Sequence, residues 1–272
     1  MTDTSMPSVS LRNPLAETLK AGRMGLAMIV QQMQSVNIAL AARHCGFDAL
    51  SVDLEHSVIP ESAAAQICVA AQLAGVTALV RLPSLDAHVA NRMLDAGALG
   101  VLAPHVGSAE EARAVVRACK FAPQGERSVA GSWPHLGYQS LPAEQVGPLF
   151  NAVTTVIVML ETPQAIEQAD EIAAVPGVDI LHIGSVDLCE ALGMPGRFED
   201  AALARCFDRL IAACRKHGKV SGAGGLGGKP ELMQKLIHKG LRFATAGIEW
   251  DFMLAGARQR AGSLRGLTLE AT

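Results

Sequence analysis

The chain has 272 residues, of which 50% are hydrophobic and 18% are charged, a balance typical of a globular chain long enough for one large α/β domain. Its net charge of −3 and its few aromatic residues, with a single Tyr, argue against a nucleic-acid-binding surface, which needs a basic stripe and stacking rings. No apolar run in the sequence is long enough to span a membrane.

The N-terminal segment, MTDTSMPSVSLRNPLAE, is polar and lacks the basic and then apolar layout of a signal peptide, so we expect a cytoplasmic protein. The six cysteines include no CxxC pair, and most lie in Ala-rich stretches with helical character. This pattern predicts packing residues rather than disulfides or zinc ligands.

Short apolar runs alternate along the chain with amphipathic, Ala-rich segments. The runs predict eight strands, at residues 25–30, 48–53, 78–82, 100–103, 156–160, 179–183, 219–223 and 243–246. Helices are predicted at 37–44, 61–73, 87–96, 108–119 with Ser108 as N-cap, 164–174, and from the last strand to about Gly256. Eight strand–helix alternations favour a (β/α)₈ TIM barrel over an open sheet.

No linker or shift in composition divides the chain, so we predict a single domain over 1–272, with flexible tails at 1–14 and 263–272. The longest irregular piece, 122–150, falls between the fourth and fifth strands. A long loop on the catalytic side of a barrel is often a lid, and the alternative is a contact between subunits.

Two of the apolar runs, in the segment 156–193, lead into carboxylates. Glu161 follows the fifth strand directly, and Asp187 comes shortly after the sixth. Because the two strands and the helix between them form a βαβ unit, the strands run parallel and both carboxylates emerge at one rim of the sheet. Paired carboxylates at one rim are typical of a site for a hard divalent cation.

Other ionisable residues lie at the same ends of neighbouring strands. The second strand leads into Asp53 and His56, and the third strand ends near Arg81. Active sites of TIM barrels lie at the carboxyl ends of the strands. The combination indicates metal-assisted chemistry on a small anionic, carbonyl-bearing substrate, with Arg81 for a carboxylate and His56 for proton transfer.

Several segments resemble, in order and spacing, the HpcH/HpaI family of class II pyruvate aldolases. The resemblance covers about residues 15–255 and rests on GFDALSVDLEHS, VRLP, MLDAGALGVLAPHV, VMLETPQAIEQADEIAAVPGVDILHIGSVDL and ALG. It implies a metal-dependent barrel of the phosphoenolpyruvate/pyruvate-like superfamily, commonly hexameric, that cleaves or forms a carbon–carbon bond through a pyruvate enolate. The substrates would be a 4-hydroxy-2-oxo acid on one side and pyruvate with an aldehyde on the other.

The resemblance also implies roles for individual residues. Glu161 and Asp187 match the metal ligands, and Arg81 matches an arginine that steadies the keto oxygen and the enolate. His56 with Asp53 matches an acid/base pair.

The same resemblance implies groups further from the metal. Asp95 matches an aspartate that acts near a neighbouring subunit's site. The segment Gly184, Ser185 and Val186 matches the backbone amides that hold the pyruvate carboxylate, next to Asp187.

The expected cation is Mg²⁺ or Mn²⁺, with Co²⁺ or Zn²⁺ as alternatives, because two protein carboxylates leave positions open for substrate and water. No lysine lies at the end of a predicted strand, which disfavours a Schiff-base mechanism. The chain departs from the family at two positions. Met159 stands where many members have Gln, and Ser185 where Pro is common.

Two other functions stay open. A citrate-lyase β-subunit-like acyl-CoA lyase would use a similar metal site but would need a basic patch, and the sequence offers only scattered lysines, Lys229, Lys235 and Lys239. A barrel that binds a metal or keto acid without turnover is the second alternative. The glycine cluster 222–228 does not fit a phosphate-binding loop motif. His105, His135 and Tyr138 are candidates to contact the aldehyde.

Overall fold

A computed structural model of the protein describes residues 11–267, and in it eight parallel strands close into a barrel in the order β1 to β8, with β8 paired to β1. The strands are β1 Gly25–Val30, β2 Ala49–Asp53, β3 Thr77–Arg81, β4 Gly100–Ala103, β5 Thr155–Leu160, β6 Ile180–Gly184, β7 Val220–Gly224 and β8 Phe243–Ile248. Each predicted strand is present, and the predicted (β/α)₈ barrel is confirmed.

Helices surround the barrel. They are α1 Pro14–Lys20, α2 Asn37–His44, α3 Glu61–Ala74, α4 Ala87–Asp95, α5 Ala109–Cys119, α6 Ala143–Val153, α7 Pro163–Glu167, α8 Ala169–Ala173, α9 Ser185–Ala191, α10 Ala201–His217, α11 Pro230–Lys239 and α12 Glu249–Arg265. The single helix predicted at 164–174 is therefore two short ones, with Gln168 between them. Within residues 11–267, no helix is both long and apolar enough to cross a lipid bilayer.

Inward and outward positions alternate along the strands, and Glu161, one of the two predicted metal ligands, follows this alternation. Ile157 and Met159 of β5 belong to the cluster inside the barrel, whereas Val156, Val158 and Leu160 pack in the larger core under the helices. Because side chains alternate faces along a strand, Glu161 continues the inward series at the carboxyl end of β5. It therefore points into the mouth of the barrel.

Helix α1 closes the opposite end of the barrel. Leu15 is fully buried and packs with the interior cluster. Asn13 caps the helix and also donates to the carbonyl of Val153, just before β5, at 2.7 Å. Residues 1–10 and 268–272 of the two predicted tails lie outside the described residues. Of the remaining tail residues, 11–14 lead into α1, and 263–265 belong to α12.

The segment 122–150 is packed at the side of the barrel and contains a 3₁₀ turn, Pro134–Leu136, and most of α6. Four of its apolar side chains form a small core together with Phe121, which precedes the segment. The four are Trp133, Leu136, Val146 and Phe150. The guanidinium of Arg127 lies 4.5 Å from the centre of the Phe121 ring. The segment thus has a defined place beside α3 and α4, to which Gln72 and Asp95 connect it.

All six cysteines are free, as predicted. Burial raises the pKa of Cys68, Cys119 and Cys214 to about 12, so these thiols are unreactive packing groups.

Candidate active site

A cavity of about 280 Å³ opens at the carboxyl ends of the strands. Its lining includes most of the residues predicted from the sequence, namely His56, Arg81, Glu161, Gly184, Ser185, Val186 and Asp187. It also includes Met159, His182 and Thr245, which form its floor at the level of the strands. The predicted groups from β2, β3, β5 and β6 therefore meet in one place.

Glu161 is buried, with 3% of its surface exposed. Its Oε2 accepts a hydrogen bond from the backbone N–H of His105 at 2.9 Å. Burial raises the pKa of this carboxyl, and the negative charges of Asp187 and Glu55 raise it further, although the contact with His105 opposes the shift. A cation beside Glu161 would relieve this repulsion.

Asp187 lies in the first turn of α9, which starts immediately after β6, and its side chain is exposed to the cavity. Gly184, the last residue of β6, lies against the Glu161 carboxylate. A Cβ atom at Gly184 would lie 2.6 Å from Oε1 of Glu161. The glycine therefore leaves the space that the Glu161 carboxylate occupies.

Residues 11–267 contain no group of three or more acidic, His or Cys side chains arranged as metal ligands. Two carboxylates in one cavity are a donor set that fits Mg²⁺ or Mn²⁺ with several positions left for substrate and water, and not a closed structural zinc site. The raised pKa of Glu161 agrees with this fit, because burial and the negative charges of Asp187 and Glu55 outweigh the opposing contact with His105.

Arg81 at the end of β3 is held by two carboxylates. Its Nε and Nη2 donate to the two oxygens of Asp53 at 2.9 and 2.5 Å, and its Nη1 lies 3.2 Å from Oε2 of Glu55. A guanidinium has five N–H groups, so two remain for a substrate. Burial opposes ionisation of Asp53, but the hydrogen bonds and charge of Arg81 outweigh it and lower the pKa of Asp53 below its ordinary value.

Asp53 and His56 are brought together through the backbone only. The backbone N–H of His56 donates to Oδ1 of Asp53 at 3.1 Å. The imidazole is 57% exposed, and its Nε2 lies 3.7 Å from Oε2 of Glu55. The side chains of the predicted acid/base pair therefore do not contact each other. Asp53 holds Arg81, and the His56 ring is exposed at the mouth of the barrel.

His105 occupies a more central place than the sequence indicated. Its Nδ1 lies 2.9 Å from Glu161 Oε2 and its Nε2 lies 2.7 Å from Glu55 Oε1, so the ring bridges two carboxylates. Its backbone has a positive φ of 56°, which is uncommon for a residue with a side chain and often marks a functional site. The signal in the sequence was a histidine two residues after the end of β4. The left-handed backbone of His105 could not be foreseen.

His182 is a site residue that the sequence analysis missed. It is fully buried on β6, and Cβ atoms at Gly222 or Gly224 of β7 would lie within 3 Å of its ring. Its Nε2 lies 3.4 Å from Oγ1 of Thr245. Burial, with a smaller contribution from the Arg81 charge, lowers the pKa of His182 to about 3, so the ring is neutral. The available signal was a polar residue inside an apolar strand.

Three other candidates lie elsewhere. Asp95 forms an ion pair with Arg127 at 2.6 Å and faces the segment 122–150, away from the cavity of its own chain. His135 contacts the carbonyl of Ala98 at 3.0 Å, just before β4 and therefore near the opposite end of the barrel. Tyr138 lines an exposed apolar groove.

In essentially every characterised TIM-barrel enzyme, the active site lies at the carboxyl ends of the strands. The mouth of this barrel, with its acid pair and its arginine, has the position and the side chains of such an active site. A family model described as HpcH/HpaI aldolase/citrate lyase matches residues 28–254, and the chain belongs to this family.

Curated relatives cover nearly the whole chain. A 4-hydroxy-4-methyl-2-oxoglutarate aldolase of Hapsidospora irregularis is 36% identical over 96% of this chain and 98% of its own length. A hydroxypyruvate/pyruvate aldolase of Paraburkholderia phytofirmans is 32% identical over 84% of this chain and 88% of its own. Among solved structures, an HpcH/HpaI aldolase from Desulfitobacterium hafniense superimposes with a TM-score of 0.87 at 26% identity, covering 96% of this chain and 100% of that one.

Proposed function

We propose that the protein is a class II pyruvate aldolase that cleaves a 4-hydroxy-2-oxo acid to pyruvate and an aldehyde or ketone, or catalyses the reverse addition. The observation that carries the proposal is the single cavity in which Glu161, Asp187 and Arg81 meet. The names of the relatives support the same reaction class.

Glu161 and Asp187 would hold a divalent cation, Mg²⁺ or Mn²⁺ by their chemistry. When bound, such an ion supplies a Lewis acid that stabilises negative charge on the keto oxygen by several kcal/mol. The family is generally dependent on a divalent metal, and the mutual repulsion of buried Glu161 and nearby Asp187 supports the same dependence here.

The remaining steps use the chain's own groups. Arg81 lines the cavity, and its N–H groups not bound to Asp53 or Glu55 would donate to the keto oxygen, where charge develops as the C3–C4 bond breaks. In cleavage the 4-hydroxyl group loses its proton, the C3–C4 electron pair moves into the enolate, and C3 is then protonated to give pyruvate. His56, whose ring is 57% exposed and lines the cavity, would carry these protons.

Further residues would orient the substrate. The backbone amides of Ser185 and Val186, at the start of α9, would bind the carboxylate of the 2-oxo acid. Asp95 would act only near the site of a second copy, because in its own chain it faces Arg127.

Among 4-hydroxy-2-oxo acids, 4-hydroxy-4-methyl-2-oxoglutarate is the first substrate to test, because a relative that matches almost the full length carries this name. Its cleavage gives two molecules of pyruvate. The second carboxylate of this substrate would lie toward the exposed rings of His56 and His105, whose ring nitrogens can donate hydrogen bonds.

The acyl-CoA lyase alternative has less support. Lys229 lies 3.5 Å from Glu199, and Lys239 lies 2.5 Å from Asp208. Two of the three lysines that could bind the phosphates of CoA are therefore already paired with acids.

We also propose that the chain forms a homo-oligomer, with a hexamer expected from the resemblance. Helix α12 has 17 residues, of which only Glu249 is buried, and Trp250, Phe252 and Met253 are exposed. An apolar groove lined by Val36, Leu73 and Tyr138 lies on the same chain. A second copy would cover such surfaces.

The test is pyruvate release from 4-hydroxy-4-methyl-2-oxoglutarate, coupled to lactate dehydrogenase. We expect activity that EDTA abolishes and that Mg²⁺ or Mn²⁺ restores. Glu161→Gln should lose activity at least about 100-fold, because it removes a ligand charge. Full activity of Glu161→Gln, or release that EDTA leaves unchanged, would contradict the metal assignment.

A further inference from the structure

Glu249 makes contacts that the proposed mechanism does not use. It is the first residue of α12 and is 4% exposed. Its Oε1 accepts hydrogen bonds from three consecutive backbone N–H groups after β1, those of Gln31, Gln32 and Met33, at 3.0, 2.6 and 2.8 Å. Its Oε2 accepts a second contact from Gln31 at 3.1 Å. The carboxylate therefore fixes the loop that follows β1.

The side chain of Gln31 continues from this loop toward the site. Its Nε2 donates to Oδ2 of Asp53 at 2.6 Å. The same carboxylate receives both hydrogen bonds from Arg81. A continuous series of contacts thus joins Glu249, at the end of β8, to Arg81, at the end of β3, through β1 and β2.

We propose that Glu249 is a positioning residue, which fixes Gln31 so that Gln31 holds the Asp53 carboxylate and Asp53 in turn aims Arg81 at the keto oxygen. This inference rests on the role of Arg81 in the proposed function. The torsion that turns an aspartate carboxylate has broad energy wells. Oδ1 of Asp53 is held by the backbone N–H groups of Glu55 and His56, and Gln31 is the donor that, besides Arg81, holds Oδ2 and with it the plane that the guanidinium follows. Small misplacements of a catalytic group can cost up to about 100-fold in rate.

The chemistry of Glu249 suits this task and that of glutamine does not. Three N–H donors converge on Oε1, and the fourth contact uses Oε2. An amide offers one acceptor oxygen, and its NH₂ group would face a backbone donor. Glu249→Gln keeps the shape of the side chain and releases the loop.

The experiment follows exchange of the pyruvate methyl protons with D₂O by proton NMR, with Mg²⁺ present. This reaction needs only enolate formation, so it does not depend on the identity of the aldehyde. The variants are Glu249→Gln, Gln31→Leu, and the two combined. Glu231→Gln is the matched control, because it removes an exposed first-turn carboxylate from α11.

We expect each single variant to lower the maximal exchange rate about tenfold with little change in the KM for pyruvate, because Arg81 acts on the enolate more than on the ground state. The double variant should be no slower than the slower single variant, since both changes break one series of contacts. Glu231→Gln should exchange like the wild type.

Other outcomes overturn the inference at different points. Losses that multiply in the double variant, or exchange at the wild-type rate in Glu249→Gln, would exclude positioning through Gln31. If Glu249→Gln does not fold, Gln31→Leu tests the inference alone, because Gln31 is only partly buried. Exchange at the wild-type rate by Gln31→Leu would then refute the series of contacts from Glu249 to Arg81. Absence of exchange by the wild type would instead overturn the proposed function, and the inference with it.

Discussion

Gly184 has an ordinary backbone, with φ of −79°, so its missing side chain serves Glu161 and not its own conformation. Gly184→Ala should fold but push the Glu161 carboxylate aside, at a cost in stability of about 1 to 3 kcal/mol. We expect a loss of 10- to 100-fold in metal affinity, on the scale of changes to groups that orient a ligand. Titration of Mn²⁺ by calorimetry measures it, and Gly131→Ala, where a Cβ meets no atom within 4 Å, is the control. Equal affinity in the two variants would contradict the steric role of Gly184.

His182 gives a pH dependence of stability with a defined sign. Its pKa is about 3 in the folded protein and about 6.5 when unfolded, so only the unfolded chain takes up the proton as the pH falls through this range. Stability is therefore full above pH 7 and declines below about 6.5. Between pH 7.5 and 5.5 the wild type should lose about 1.4 kcal/mol more than His182→Phe. Urea denaturation at the two pH values measures this difference.

The control for this prediction is His238→Gln, because His238 is exposed. It should keep the wild-type pH dependence. If His182→Phe and the wild type lose the same stability on acidification, the ring is not held neutral by burial.

At the scale of single elements, a change at the cap of α1 should lower stability without lowering activity. Asn13 accepts from the N–H of Ala16 at 3.0 Å and from the hydroxyl of Thr77 at 2.8 Å, and it donates to Val153 and Thr155. Asn13→Ala should cost about 2 to 3 kcal/mol, because buried partners lose their hydrogen bonds together with the cap. Pyruvate release per folded molecule should not change, since α1 lies at the end of the barrel opposite the site.

A cap without buried partners offers the comparison. Asp200 caps α10 by accepting from Ala202 at 2.9 Å, and Asp200→Ala should cost only about 1 kcal/mol. Equal thermal stability of the two variants, or reduced turnover in Asn13→Ala, would show that α1 has a different role.

Elements differed in how well the sequence predicted them. Strands of a parallel barrel are buried on both faces, so their apolar runs were clear and their bounds agree with the structure to within about two residues. Helix α12 continues well past Gly256, to Arg265, because its exposed residues carry no apolar period that would mark an end. Helices α1, α6 and α9 were not predicted, since they are short or follow loops whose packing depends on distant residues. The sequence analysis gave no bounds for α10 and α11 either.

At the scale of the whole molecule, the site was predicted where strand order alone determines position. Glu161, Asp187 and Arg81 meet because each lies at or just after the end of a parallel strand. The bridging position of His105 and the partnership of Asp53 with Arg81 depend on side-chain directions, which the sequence does not encode locally. The direction of the Asp95 side chain depends on the packing of the segment 122–150, whose sequence has no regular periodicity.

The prediction for the whole molecule concerns its assembly into a homo-oligomer through the exposed face of α12. Replacing Trp250 and Met253 together by Glu places two charges on the exposed face of α12. Light scattering should show the wild type at several times the 28.4 kDa mass of one chain and this variant at a lower mass. Lys216→Glu, on the outer face of α10, should keep the wild-type mass. A wild type that scatters as a single chain would refute the oligomer.

Five of the six sulfhydryl groups are buried or half-buried, and Cys45 at the end of α2 is the exposed one. It lies two residues before Phe47, whose ring centre is 6.0 Å from that of Phe252 in the first turns of α12. A maleimide dye should therefore couple at Cys45 without any mutagenesis. Its emission would report the environment at the base of α12, and so provide a built-in optical probe of that helix in the native sequence.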